Sequence, residues 1–369
     1  MSKFSARQLA FIVAVIFSVV KFYVLPAHVS SFSHEAGWQS LFINFSIDFL
    51  LLLLCLYAVK NKTQKNVYDT SVELFGKPFT KVIYIIYAIY FLLKAFIPIL
   101  EQKNTISLTF YESQPTLLIF MPFFIVAFYI LLKGVNAFAR SVEIMSLLWL
   151  AGLLITLSLS IPAGEYASIL PITQPVKKVL SGTINSFIWF GDPLIILFIS
   201  EYIQVEKGLF KKTIIGYIVG MVATLLLVVV FYSVFQGIAQ RQYYAPIKMS
   251  KYSITLSNIG RLDYFGALMF SAVSVYAMTL PMLTATVCIN KVFNFKKNYV
   301  VPLLVTILQL LLVFFFQNEI FSNIKFVQTY LLPFMLVACY LLPLILFFGI
   351  IIKRARLNRK KEALSVQKG

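Results

Sequence analysis

Apolar runs of about twenty residues recur along almost the whole of this 369-residue chain, and no other feature restricts its fold so tightly. Such a run crosses a hydrocarbon core about 30 Å thick as a helix, because each peptide N–H and C=O must then find a partner within the segment. Ten spans are predicted, at residues 7–31, 38–59, 79–100, 115–132, 141–161, 178–204, 210–235, 262–290, 299–316 and 327–352. With 60% hydrophobic residues, 12% charged residues and a mean hydropathy of +0.86, the chain reads as an all-α, multi-pass membrane protein. The segments between spans are short and leave no room for a soluble catalytic domain.

The net charge of +18 raises the question of nucleic acid, but the placement of the charge argues for membrane topology instead. Lys60, Lys62, Lys65, Lys77 and Lys81 crowd the connector after span 2, and a basic run from Lys353 to Lys368 follows span 10. The opposite side holds fewer: Lys103, Lys177, Lys178, Arg241, Lys248, Lys251, Arg261 and Lys325. Both termini are therefore expected in the cytoplasm, with lipid as the partner of the basic tail and no nucleic acid. Cys55, Cys288 and Cys339 lie in different apolar runs, which predicts neither a disulfide nor a metal site. The first run continues through Lys21 without a small-residue cleavage pattern, so it reads as a span rather than a signal peptide.

Ten spans divide into five and five, and an odd number per half inverts the second half relative to the first. The expected organisation is a single membrane domain, 1–369, made of repeats 1–161 and 178–352 and a tail 353–369. In that arrangement span 6 corresponds to span 1, and both carry interruptions. Span 6 holds Gly191-Asp192-Pro193, where glycine frees the backbone, proline removes a helix donor and aspartate brings a carboxylate to bilayer depth. Span 1 holds Ser18-Val19-Val20-Lys21 at its middle and Pro26 after it. Paired discontinuous helices point to a binding site near the bilayer midplane. A proline kink with Asp192 satisfied by neighbouring helices is the simpler alternative.

Charges in hydrocarbon cost on the order of 3 kcal/mol each and ask for partners. Lys21, Lys94, Asp48 and Asp192 all fall inside spans. Lys21 could pair with Asp48 or Asp192, or stand where a coupling cation would otherwise sit; Lys94 could instead snorkel outward. Asp48, Lys21 and Asp192 are the candidate ion- or proton-linked groups. Tyr84, Tyr87 and Phe91 share one helix face with Lys94, as helix packing or as pocket lining. Trp189 and Phe190 flank the span 6 break, and Ser271 and Ser274 sit close to one turn apart in span 8, free to bond a ligand or a neighbouring helix. The candidate ligand-binding set is thus Ser18, Val19, Val20, Lys21, Tyr87, Phe91, Lys94, Trp189, Phe190, Gly191, Asp192, Ser271 and Ser274. Gly216-x-x-x-Gly220 suits close helix packing. Only two histidines occur, and no HExxH, cysteine pair, P-loop or nucleophile elbow is present, so no enzyme, cofactor or catalytic residue is expected.

Several stretches carry a family resemblance. Phe4-Ser-Ala-Arg-Gln-Leu9 leads into the interrupted first span, Gly134-Val-Asn-Ala-Phe-Ala-Arg140-Ser-Val-Glu143 lies between spans 4 and 5, and Gly260-Arg-Leu-Asp263 opens span 8. With the Gly191-Asp192 break and the span count, these resemble the B subunits of spore germinant receptors, the spore germination permease family of the amino acid–polyamine–organocation superfamily. The resemblance implies a LeuT-like inverted five-plus-five fold with a nutrient bound between spans 1, 3, 6 and 8. It also implies assembly with A and C subunits in the spore inner membrane and a germinant, an amino acid being the first guess, that triggers germination. Carried over by position, Ser18 to Lys21 and Phe190 to Asp192 are the unwound segments, and Arg140 and Glu143 form a cytoplasmic motif across one helical turn. The family pattern favours a small residue at the first break and a Glu-like acid in span 6, where this chain has Ser18 and Asp192; Lys21 is unusual. Two other readings remain open: a proton-coupled amino acid permease in a cell membrane, and a structural subunit with a vestigial cavity.

Overall fold

A computed structural model of the chain describes residues 3–61, 66–110, 116–169, 175–251, 263–295, 297–316 and 320–366. Residues 260–262 of the quoted motif, and Lys62 and Lys65, lie outside the described residues, as do the side chains of the basic tail. The described elements are helices: α1 (Ala6–Val19), α2 (Leu25–Ser33), α3 (Gly37–Asn61), α4 (Val67–Phe75), α5 (Lys77–Phe110) and α6 (Thr116–Ser160). They continue as α7 (Val176–Ser186), α8 (Ile195–Phe198), α9 (Leu209–Phe235), α10 (Ala245–Lys251), α11 (Asp263–Phe293), α12 (Val300–Phe315), α13 (Ile320–Phe326) and α14 (Leu332–Val366). Among the described residues, seven helical stretches are long and apolar enough to cross a membrane, and α1 and α12 are shorter apolar helices.

Between the predicted spans 4 and 5, residues 133–140 are helical apart from a single turning residue. Thr116–Ser160 is helical throughout save at Gly134, whose φ of 77° and ψ of −178° turn the chain within one residue. Only glycine takes that conformation without steric cost, so a new helix starts at once and no loop is needed. The connector after span 2 carries a short helix, α4. Asn66 caps α4 by accepting from the Asp69 N–H at 2.7 Å, and Gly76 ends it at φ 86°. Residues 236–251 of the long segment before span 8 form a 3₁₀ stretch at Gln236–Arg241 and then α10.

In the core α11 packs on α5 and α6, and α1 packs on α9. Small residues allow the closest approach: a Cβ at Gly216 would lie 2.4 Å from the Ala10 carbonyl oxygen, and one at Gly220 would lie 2.6 Å from that of Ala14. The GxxxG pair therefore seats α9 directly on the backbone of α1. At the N-terminal end, Phe4 forms a bridge with Ile203: its N–H donates to the Tyr202 carbonyl at 2.9 Å, and its carbonyl accepts from the Gln204 N–H at 2.9 Å. Ser5 begins α1 with a reciprocal capping box involving Gln8.

Candidate functional site

Both spans expected to be interrupted are broken. In the sixth, α7 runs to Ser186, a 3₁₀ turn covers Phe187–Trp189, Phe190 is extended, and Gly191 stands in the left-handed region at φ 87°, ψ 11°. A second 3₁₀ turn at Asp192–Leu194, with Pro193 near its start, leads into α8. The first span breaks later than expected. Its helix, loosened by a π-helical stretch at Ile12–Ile16, continues through Val19; the break follows, and α2 restarts at Leu25 with Pro26 in its first turn. Ser18 is therefore helical, and its hydroxyl donates back to the Ala14 carbonyl at 2.6 Å.

Buried charges tie the two breaks together. The Lys21 ammonium contacts the Asp192 carboxylate and donates to the Phe17 carbonyl at 2.6 Å. Lys94 reaches across from α5, with its Nζ 3.3 Å from Asp192 Oδ1. It donates to the Phe190 carbonyl and to that of Ile188 at 3.3 Å, so it is buried in the core rather than snorkelled outward. Asp48 on α3 accepts from the Gly191 N–H at 2.8 Å. The Phe190 ring lies 4.9 Å from Lys21 Nζ. Two ammonium groups thus face two carboxylates, a balance that makes four ionisable side chains tolerable in an apolar interior. The peptide groups named at the span 6 break are held by the chain's own side chains and do not stand bare toward a guest.

A cavity of about 20 Å³ adjoins this cluster. Val20, Lys94, Trp189 and Asp192 of the sequence-derived set line it, among apolar side chains that include Ile16, Phe17, Ile97, Leu280 and Met335. The other expected residues lie elsewhere. Tyr87 and Phe91 pack on Phe198, with ring centroids 4.8 and 5.1 Å away, and the Tyr87 hydroxyl donates to the Ala338 carbonyl. Val19, Phe190 and Gly191 are buried around the breaks, and Ser271 is buried on α11. Ser274 lines a second cavity of about 10 Å³ with Val20, Tyr23, Pro98, Glu101, Gln102 and Ala277. Its Oγ lies 2.9 Å from the Tyr23 hydroxyl.

Glu101 and Gln102 escaped the sequence reading because the apolar run of span 3 ends at residue 100, whereas α5 continues to Phe110. A usable signal was present in the register. Tyr87, Lys94 and Glu101 are spaced by seven residues, two helical turns, and so follow one face. The expected pair of Glu143 with Arg140 is replaced by contacts to the N-terminal segment: Arg7 Nε lies 3.4 Å from Glu143 Oε1, and Gln8 Nε2 donates to Oε2 at 3.2 Å. Bending at Gly134 brings this part of α6 against the start of α1, where Arg7 is the nearer partner. Among the described residues no group of histidine, cysteine and carboxylate side chains could hold a metal ion.

A family model described as "Spore germination protein" matches residues 3–322. No curated protein sequence matches the chain. Among solved structures, the crystal structure of MhsT in complex with L-phenylalanine superposes with a TM-score of 0.65 at 11% identity, covering 95% of this chain and 99% of that one. The fold is therefore the LeuT-like one shared with MhsT, as anticipated.

Proposed function

Given that this chain belongs to the spore germination protein family, matched over residues 3–322, we propose that it is the nutrient-sensing B subunit of a spore germinant receptor. The chain is a multi-pass membrane protein of germinant-receptor or amino-acid-permease type, and neither its family nor its fold is that of an enzyme. MhsT, which has a similar fold, is solved in complex with L-phenylalanine, and this supports an amino acid as the germinant. The observation that carries the reading is the ionic link of Lys21, Asp192 and Lys94 across both breaks, beside a small cavity.

A cavity of about 20 Å³ has room for roughly one water, so an amino acid enters only when the lining side chains part. Parting them strains the Lys21–Asp192–Lys94 link, and that coupling turns occupancy into a change of shape. The repeats 1–161 and 178–352 would then rock about the site, passing the change to A and C subunits at the spore inner membrane, with both termini in the cytoplasm. Germination follows from that handover.

The test is equilibrium binding of the twenty amino acids, one at a time, to detergent-purified full-length protein. At least one is expected to bind and to lose affinity by about tenfold or more in Lys21→Met, a change of about 1.4 kcal/mol. Failure of all twenty to bind overturns the reading. A proton-coupled permease is the second reading, favoured by one carboxylate shared between two buried ammonium groups, an arrangement in which a proton can be exchanged. Uptake into proteoliposomes that collapses with the proton gradient decides for the permease, and binding without uptake decides for the sensor.

A further inference from the structure

The ligand's polar end was expected at the broken helices, yet there Lys21, Lys94 and Asp48 already hold Asp192, the Phe17, Ile188 and Phe190 carbonyls and the Gly191 N–H. Three unmet polar atoms, on Glu101 and Gln102, belong to residues that line the second cavity. Glu101 is 1% exposed; its Oε1 accepts from the Trp189 indole N–H at 2.8 Å, while Oε2 has no hydrogen-bond partner among the described residues. Gln102 is also 1% exposed, and both its amide oxygen and its amide nitrogen are without partners among the described residues. A buried carboxylate oxygen left unpaired bears its desolvation penalty with nothing to offset it. Such groups in a native interior call for an occupant.

We propose that Glu101 and Gln102, with Tyr23 and Ser274, form a subsite that receives the ammonium group of a small primary amine. This rests on the reading above that the protein binds a small nutrient, and it names which end of that nutrient goes where. An ammonium carries three N–H donors and no acceptor. Glu101 Oε2 and Gln102 Oε1 supply two free acceptors, and the paired hydroxyls of Tyr23 and Ser274 supply a third. The second cavity, about 10 Å³, is of the order one water or one ammonium needs. Val20, Pro98 and Ala277 line both cavities, so the apolar remainder of the ligand extends past them toward Ile97, Leu280 and Met335. Trp189 lines the first cavity and bonds Glu101 beside the second, and so senses both ends of the molecule. The orientation is opposite to one in which Lys21 takes a carboxylate, because the Lys21 ammonium is already committed to Asp192.

The probes are L-leucine and L-alanine, each beside the amine lacking its carboxylate (3-methylbutylamine, ethylamine) and the acid lacking its amino group (4-methylpentanoate, propionate). Binding to purified full-length protein is measured by calorimetry. At least one amino acid and its amine are expected to bind, and the matching acid to bind about tenfold or more weaker. Glu101→Gln, which keeps the shape and removes the charge, is expected to erase the preference for amine over acid. An acid that matches its amino acid in affinity, or undiminished amine binding by Glu101→Gln, overturns the subsite and leaves the sensing proposal standing. Should Glu101→Gln not fold, the comparison of probes on the unaltered protein decides alone. Binding by none of the six overturns the subsite, and the twenty-amino-acid panel then judges the sensing proposal separately.

Discussion

The two breaks do the same geometric job by different chemistry. At the sixth span the backbone itself is committed: Gly191 sits at φ 87°, and Pro193 withholds a donor. Capping groups come from elsewhere, with Asp48 on α3 taking the Gly191 N–H and Lys94 on α5 taking two carbonyls. The first span has no glycine at its break and no left-handed residue there. Its turn is closed locally, by the Lys21 N–H donating to the Ser18 carbonyl at 2.9 Å and that of Phe22 to Val19 at 3.2 Å. The Lys21 side chain then locks it to Asp192. One break is fixed by which residue the backbone tolerates, and the other by an ion pair that can let go. The proposed response to a ligand would use this asymmetry, a rigid half and a releasable half.

The largest effect should come from attacking the rigid half. A Cβ at Gly191 would lie 2.6 Å from Cys339 Sγ and 3.0 Å from the Tyr90 hydroxyl. Left-handed backbone adds about 1–2 kcal/mol for a non-glycine residue, and overpacking adds about 1–3 kcal/mol. Gly191→Leu is expected to lower the thermal unfolding midpoint of purified protein more than any other substitution named here and to abolish ligand binding. Pairing Gly191→Ala with Cys339→Ala should recover the steric part and leave the conformational part. Full recovery would show that the backbone was never committed.

The difference between the breaks also explains what could be read from residues alone. Gly191-Asp192-Pro193 announces its own conformation, and Lys21, Asp48, Lys94 and Asp192 stand out as charges in apolar runs. That was enough to place the span 6 break and to identify the groups that cross-link it. A break without glycine gives no such signal, so Ser18–Lys21 was read as unwound when the helix runs on through Val19. Hydropathy likewise marks where apolar residues stop and not where a helix stops. For that reason hydropathy places Glu101 outside span 3, whose helix in fact carries it into the core, and it separates spans 4 and 5 by eight residues where Gly134 alone turns the chain.

Loosening the releasable half comes second. Lys21→Met removes one partner of a buried pair, a change that costs about 3–5 kcal/mol where the remaining charge is left alone. Asp192 keeps Lys94 at 3.3 Å, so the loss should fall at or below the lower end. A thermodynamic cycle of Lys21→Met and Asp192→Asn should give a coupling above about 1 kcal/mol. Additive effects would mean that the link does not hold the first break. Asp48→Asn ranks third: an amide oxygen still accepts from the Gly191 N–H, so roughly 1 kcal/mol is expected, read from the same unfolding curves.

The smallest effect tests whether the asymmetry extends to the N-terminal end. Arg7 reaches Glu143 at 3.4 Å, but the Arg7 side chain is 71% exposed. A pair in that setting contributes about 0.2–1 kcal/mol, and salt screens it. Backbone contacts hold the same segment independently, through the Phe4–Ile203 bridge and the Ala6 N–H, which donates to Glu206 Oε1 at 3.2 Å. Arg7→Ala should therefore leave the unfolding midpoint within about a degree of the parent protein and leave ligand affinity unchanged, with any residual difference vanishing at high salt. A loss comparable to Lys21→Met would place a second releasable lock outside the core, and the contrast between a rigid and a yielding break would no longer account for where the molecule gives way.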